Sequence, residues 1–148
     1  MRIAIAADHA AHELKAELAE WLRGEGHDVL DLGTNGPESV DYPKFGFAVG
    51  SAVAEGRAER GVALCGSGIG ISIAANRISG CRCALVSEPL SAALARNHND
   101  ANVIAMGARL IGPEMAKACL TAFLTTDFLG DRHSRRVDML GAPPAGDA

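Results

Sequence analysis

Short apolar runs alternate with longer stretches of helical spacing along the 148 residues. Residues 2–7, RIAIAA, predict a buried strand. Residues 11–24 follow with Leu14, Leu18, Trp21 and Leu22 at helical spacing, and Gly24 and Gly26 as stop signals. The alternation continues. Further strands are predicted over 28–33, 61–66, 81–87 and 102–108, and helices over 44–56, 69–79, 89–97, 113–125 and 132–140. Residues 34–43 hold Gly36, Pro37 and Pro43 and read as a loop. Pro89 and Pro113 stand where the first turn of a helix accepts proline. Residues 1–140 read as one domain, and 141–148, GAPPAGDA, as a frayed, disordered tail. There is no internal repeat.

Strands alternating with helices imply an α/β fold, with a parallel sheet covered on both faces. Crossovers in such a sheet are right-handed. Ligands bind beyond the carboxyl ends of its strands. Attention therefore falls on residues just after strands: Asp8 and His9, the stretch from Gly33 to Tyr42, Cys65 to Gly70, Ser87 and Glu88, and Arg109.

Composition removes several classes of function. Hydrophobic residues make up 48% of the chain, enough for a core. A formal net charge of −4 argues against nucleic acid or an anionic membrane as the main partner. No segment approaches the roughly eighteen apolar residues of a membrane span. Asp8 and His9 interrupt the N-terminal run where a signal peptide would still be apolar, so a cytoplasmic protein is expected. Cys65, Cys81, Cys83 and Cys119 form no C-x-x-C pair and read as reduced thiols.

The densest chemistry lies in RGVALCGSGIGIS, residues 60–72. A dinucleotide fingerprint starting at Gly66 needs glycine where Ile71 stands, and it should follow the first strand rather than the third. A P-loop would end in Gly-Lys-Ser/Thr, which is absent, and a cysteine phosphatase loop needs arginine at position 71. What remains is a tight turn opening a helix. The successive amides from Gly66 through Ser67, Gly68 and Ile69 to Gly70 make an anion site there. Cys65, at its start, is either a buried strand cysteine or a thiolate favoured by that helix end, able to act as nucleophile or general base. Asp8 and His9 are either a solvated loop pair or part of the site. His98, beside Asn99, is either a ligand group or a partner of a helix dipole. His12 and His27 read as surface residues. Arg132 and Arg136, four residues apart, share a helix face and suit a phosphate monoester. The residues alone point to an enzyme handling a small phosphorylated metabolite.

Taken together, AADHA at the N-terminus, DYP at 41–43, LCGSGIGISIAANRI at 64–78, SEP at 87–89, RNHNDANVIAMGARLIG at 96–112 and RHSRRV at 132–137 resemble the B-type ribose-5-phosphate isomerases. These belong with the isomerases of galactose and allose 6-phosphates. The resemblance covers nearly the whole chain in order. It implies a three-layer α/β/α sandwich, Rossmann-like, on a parallel five-stranded sheet. It implies interconversion of D-ribose 5-phosphate and D-ribulose 5-phosphate through an enediolate, with no metal or other cofactor. It also implies a homodimer or dimer of dimers whose active sites are shared between subunits.

Site residues follow from the same resemblance. In one branch of the family the cysteine matching Cys65 is the base. In another branch a glutamate serves, and Ile71 stands at its position here. The amides of Gly66, Gly68, Ile69 and Gly70 would stabilise the enediolate, and Ser67 would steer the substrate oxygens. His98 matches the ring-opening acid–base, Asp8 a contact to the sugar hydroxyls, and Asn99 a contact to the enediolate. His9, Arg109, Arg132 and Arg136 match phosphate contacts, and Tyr42 lines the pocket. His98, Asn99 and Arg109 are expected to reach across from a second subunit. Arg135 has no assigned role and reads as surface. Two other functions stay open: the same mechanism on a four- or six-carbon sugar phosphate, such as erythrulose 4-phosphate, allose 6-phosphate or galactose 6-phosphate, and a non-catalytic sugar-phosphate-binding subunit.

Overall fold

The computed structural model describes residues 1–146. Strands β1 (Arg2–Ala7), β2 (Asp28–Asp31), β3 (Arg60–Cys65), β4 (Cys83–Leu85) and β5 (Val103–Gly107) alternate with helices α1 (His12–Gly24), α2 (Tyr42–Ala54), α3 (Ile69–Asn76), α4 (Pro89–Asn99) and α5 (Pro113–Thr125), and α6 (Arg132–Leu140) closes the chain. A short 3-10 turn, His9–Ala11, leads into α1. All strand pairs are parallel, in the order β2-β1-β3-β5-β4. The result is the three-layer, Rossmann-like sandwich.

Alternation along the strands divides the core by size. Ile3, Ile5, Val62, Leu64, Ile104 and Met106 point to one face. There they meet Leu14, Leu18 and Leu22 of α1 and Leu120 and Phe123 of α5. Ala4, Ala6, Ala63 and Ala105 point to the other face, against Phe45 and Val49 of α2 and Ile71 of α3. Small residues on this side let the helices come close to the sheet and to each other. A Cβ at Gly46 of α2 would lie 2.6 Å from the Ala74 Cβ of α3.

The chain leaves β1 toward one edge to form β2, then returns to the other side of β1 for β3. The order reverses at that point, and a crevice opens beyond the carboxyl ends of β1 and β3.

Several boundaries differ from the sequence reading. Helix α2 begins at Tyr42 rather than 44, with Pro43 in its first turn, because proline's missing N–H has no intrahelical partner at that position anyway. Strands β2 and β4 are shorter than expected. Both are edge strands, so one neighbour alone defines their length. Helix α4 runs on to Asn99. Residues 141–146 are exposed and lie outside any helix or strand, while the last two residues of the expected tail, 147 and 148, lie outside the described residues.

One seam joins core to crevice. A Cβ on Gly107, the last residue of β5, would lie 2.5 Å from the Ser67 carbonyl carbon and oxygen. Just beyond it, the Ala108 N–H donates to the Cys65 carbonyl at 2.9 Å and the Arg109 N–H to the Gly66 carbonyl at 3.0 Å. Gly107→Ala should therefore push the 66–70 turn off the sheet and destabilise the fold by about 1–3 kcal/mol. Urea unfolding measures this, and an unchanged midpoint would mean that the turn yields freely.

Candidate active site

The crevice is a cavity of about 340 Å3 lined by Asp8, Tyr42, Cys65, Gly66, Ser67, Gly70, Arg109 and Leu110. Each element delivers its residue at the same end of the sheet. Asp8 follows β1, Cys65 ends β3, Arg109 follows β5, and Tyr42 opens α2.

Cys65 is 4% exposed. The Gly68 N–H donates to its Sγ at 3.1 Å. Gly68 can present that N–H because its φ is +78°, and because a Cβ there would stand 2.7 Å from both Leu85 Cδ1 and the Met106 carbonyl carbon. An amide aimed at a buried sulfur is the donor that a thiolate accepts. The other cysteines sit differently. Burial pushes Cys81 up to about 11, and burial likewise raises Cys83 and Cys119. Those three remain protonated thiols at neutral pH.

Around Cys65 the polar groups are held by backbone. Asp8 is 7% exposed, and its Oδ1 accepts the Ala10 N–H at 3.0 Å. The Asp8 N–H donates to the Leu64 carbonyl, tying the β1 end to β3. His9 Nδ1 accepts the Val40 N–H at 3.1 Å. The neutral ring therefore carries its proton on Nε2, leaving a donor for a ligand. Ser67 Oγ accepts the Ile69 N–H at 3.2 Å. The Tyr42 ring packs on Gly70, where a Cβ would come within 2.6 Å of it. Ile69, half exposed, lines an adjoining hollow with Ser67, Leu85 and Leu110.

Arg109 corrects one expectation. Its side chain lies over Gly66 of its own chain, 3.3 Å from where a Cβ would be. The reason is the sheet order: β5 is next to β3, so the residues after β5 fall beside the Cys65 turn. Glu88 also proves structural. Its carboxylate caps α4, accepting the Leu90 and Ser91 N–H groups at 2.6 and 2.8 Å.

The remaining expected residues lie at the opposite edge of the sheet. His98 and Asn99 end α4, just before the chain enters β5 at its amino end. That is a strand length, about 15–20 Å, from Cys65. Arg132 and Arg136 are exposed on α6, which packs against α4. Arg135 is exposed and touches Met139 on its own helix. The larger cavity, about 430 Å3, also lies at this amino edge, lined by Asn76, Cys81, Arg82, Asn99 and Leu140 among others. Its thiols are Cys81 and Cys83, both raised in pKa by burial. Among the described residues, no group of three or more His, Cys, Asp or Glu side chains is gathered as a metal site requires.

Two supporting residues were missed by sequence reading. Lys15 is buried on α1, where it donates to Asp31 Oδ2 at 2.6 Å and to Asn35 Oδ1 at 2.9 Å. It anchors the loop leading to Val40 and Tyr42. Its position on the stripe of Ala11, Leu14, Leu18 and Leu22 was the available signal. His133 is buried on α6 and stacks on His98. The sequence offers no cue to that contact, since the two rings meet only through helix packing.

Known proteins match this arrangement along nearly the whole chain. Residues 3–140 match the family model described as Ribose/Galactose Isomerase. The chain is 44% identical over 141 residues to the Escherichia coli protein named ribose-5-phosphate isomerase B, covering 95% of each. It is 39% identical over 142 residues to the Pectobacterium atrosepticum protein named D-erythrulose-4-phosphate isomerase, covering 95% of this chain and 93% of that one. The solved structure of Clostridium thermocellum ribose-5-phosphate isomerase B superposes with a TM-score of 0.94 at 45% identity, covering 95% of each chain. With the parallel sheet, the cysteine-headed glycine turn and these matches in agreement, the chain belongs to the ribose/galactose isomerase family.

Proposed function

We propose that this protein interconverts D-ribose 5-phosphate and D-ribulose 5-phosphate through an enediolate, with Cys65 as the general base. The observation that carries the reading is the buried Cys65 sulfur accepting the Gly68 N–H in a cavity that also holds Asp8, Ser67 and Arg109. The thiolate takes the proton from C2 of the open aldose. The electron pair forms the C1–C2 double bond, and the carbonyl oxygen gains charge beside the turn amides. The proton then returns to C1, while the O2 proton passes to O1, and the ketose results. Atoms and electrons balance without a redox partner. His9, with a proton on Nε2, and Arg109 bind the phosphate end of the substrate.

Ribose 5-phosphate is a closed furanose in solution, so ring opening comes first, and His98 is assigned to it. Arg132 and Arg136 join the phosphate contacts, and Asn99 the enediolate. These four residues lie a strand length from Cys65 in one chain, which supports a site built by two copies. Ile69 and Ile73 on α3, Leu85 on the β4 edge and Leu90 on α4 are exposed apolar residues that a second copy would cover. A two-fold axis perpendicular to the strands reverses one sheet against the other, setting the amino edge of each copy beside the carboxyl edge of its partner. Residues 1–140 act as the single isomerase domain, and the four free cysteines support a cytoplasmic location.

A second reading keeps the mechanism and changes the substrate. The likeness to the protein named D-erythrulose-4-phosphate isomerase favours a four-carbon sugar phosphate. The deciding experiment is turnover in metal-free buffer with chelator. D-ribose 5-phosphate should be isomerised with kcat on the order of 10 per second. Preferential turnover of a four- or six-carbon sugar phosphate would replace the pentose.

Cys65→Ala should lower kcat by about 10²–10⁴-fold yet still bind an unreactive phosphate ester in calorimetry. Wild-type turnover by this variant would remove the base assignment. Mixing inactive Cys65→Ala with His98→Asn, after dissociation and reassociation, should restore roughly a quarter of wild-type sites, since about half the dimers are mixed and each holds one intact site. No recovery in reassociated mixed dimers would put both residues in one subunit's site.

A further inference from the structure

We propose that His133 is a positioning residue for ring opening: an uncharged aromatic plate that holds the His98 imidazole in place and leaves His98 as the group that carries the proton. The inference rests on the ring-opening role given to His98 above. The two rings stack with centroids 4.4 Å apart and planes 13° from parallel. They come from different helices, His98 from the last turn of α4 and His133 from the first turn of α6. His133 is 7% exposed, and its Nε2 is buried with no hydrogen-bond partner among the described residues. That atom is the clue. An imidazolium needs acceptors for both of its N–H groups, and at Nε2 there is none. A buried polar atom without a partner is a cost to the fold. It is accounted for if the plane of the ring, rather than its nitrogens, is what the site uses.

The charged and titratable surroundings agree with that assignment. His98 faces the ring from α4, Arg132 and Arg136 from α6, and Asp131 from the segment before it. Burial first, then His98 and the two arginines, lower the pKa of His133, against a smaller opposing effect of Asp131. His98 is half-buried rather than enclosed, so its outer edge is free for a ligand. A proton on His98 lies against the face of a neutral ring, which is an attractive arrangement for a cation. Two charged rings at the same separation would repel. Holding the imidazole matters because general acid catalysis depends on reach and direction, and a misplacement of about 1 Å can cost about a hundredfold.

The test separates plate, proton and scaffold. D-ribulose 5-phosphate cannot close to a furanose, because its C5 oxygen carries the phosphate. Solvent-deuterium exchange into its C1 therefore requires the base but no ring opening. His133→Ala should lower isomerisation of D-ribose 5-phosphate by about 10–100-fold and exchange by less than about threefold. His133→Phe, which keeps the plate and discards both nitrogens, should recover at least about a third of wild-type isomerisation, with an unchanged pH profile of kcat/KM. His98→Asn is measured alongside. Equal losses in both reactions for His133→Ala would assign His133 to scaffold alone. A phenylalanine variant as impaired as the alanine one, or one that loses a limb of the pH profile, would make the His133 nitrogens essential. Either result overturns the proposal, as does a loss under about threefold in both reactions. If His133→Ala does not fold, the phenylalanine variant's rate and pH profile decide. A His98→Asn variant with equal losses on ribose 5-phosphate and in exchange would instead overturn the ring-opening role of His98 itself.

Discussion

Everything at the candidate active site depends on a close approach of two backbones. The end of β5 lies so near the 66–70 turn that a methyl group on Gly107 would overlap the Ser67 carbonyl. Gly68 faces the same seam from the other side, with its own Cβ position filled by Leu85 and the Met106 backbone. Two glycines, one on each side, set how near the turn can settle to the sheet. That closeness lets the Gly68 N–H reach the Cys65 sulfur, and the Arg109 N–H reach the Gly66 carbonyl. A larger residue at either place would separate donor from acceptor before it touched any substrate. Packing and chemistry are the same constraint here.

The seam also explains why one cysteine among four is singled out. Cys81, Cys83 and Cys119 lie in surroundings where burial favours the neutral thiol. Cys65 is also buried, and it has a backbone donor supplied by the left-handed turn. A similar economy governs the histidines. Val40 fixes the tautomer of His9 through one backbone N–H, and enclosure leaves the His133 Nε2 without a partner among the described residues and lowers the pKa of that ring. In each case a side chain of ordinary chemistry is specialised by a main-chain group or by the lack of one.

The chain divides its polar machinery between two edges of the sheet. Asp8, Cys65 and Arg109 gather where strands end, and His98, Arg132 and Arg136 gather where they begin. In parallel sheets crossover helices run back against the strands, so His98 near the carboxyl end of α4 falls at the far edge, and α6 with its arginines packs beside it. A single copy of such a fold cannot unite the two sets. The proposed function bridges that separation by setting a second copy over the exposed apolar face of α3, β4 and α4.

Much of this was legible in the order of residues. Alternating apolar runs and helical stripes determined the α/β class, because side-chain periodicity is a local property of strand and helix. The strand-end rule determined Asp8, Cys65 and the glycine turn as candidates, because parallel topology alone decides where strand ends lie. Boundaries such as the start of α2 were less legible, since Pro43 can either break a helix or open one and only the packing of Tyr42 on Gly70 selects between them. Contacts between elements distant in sequence were decided by tertiary structure alone. The sheet order β2-β1-β3-β5-β4 put Arg109 over Gly66 of its own chain, the packing of α6 on α4 stacked His133 on His98, and burial of α1 turned Lys15 inward to Asp31 and Asn35. The physical reason is one of range: periodicity and turn chemistry act over a few residues, whereas these contacts exist only once the layers have closed on each other.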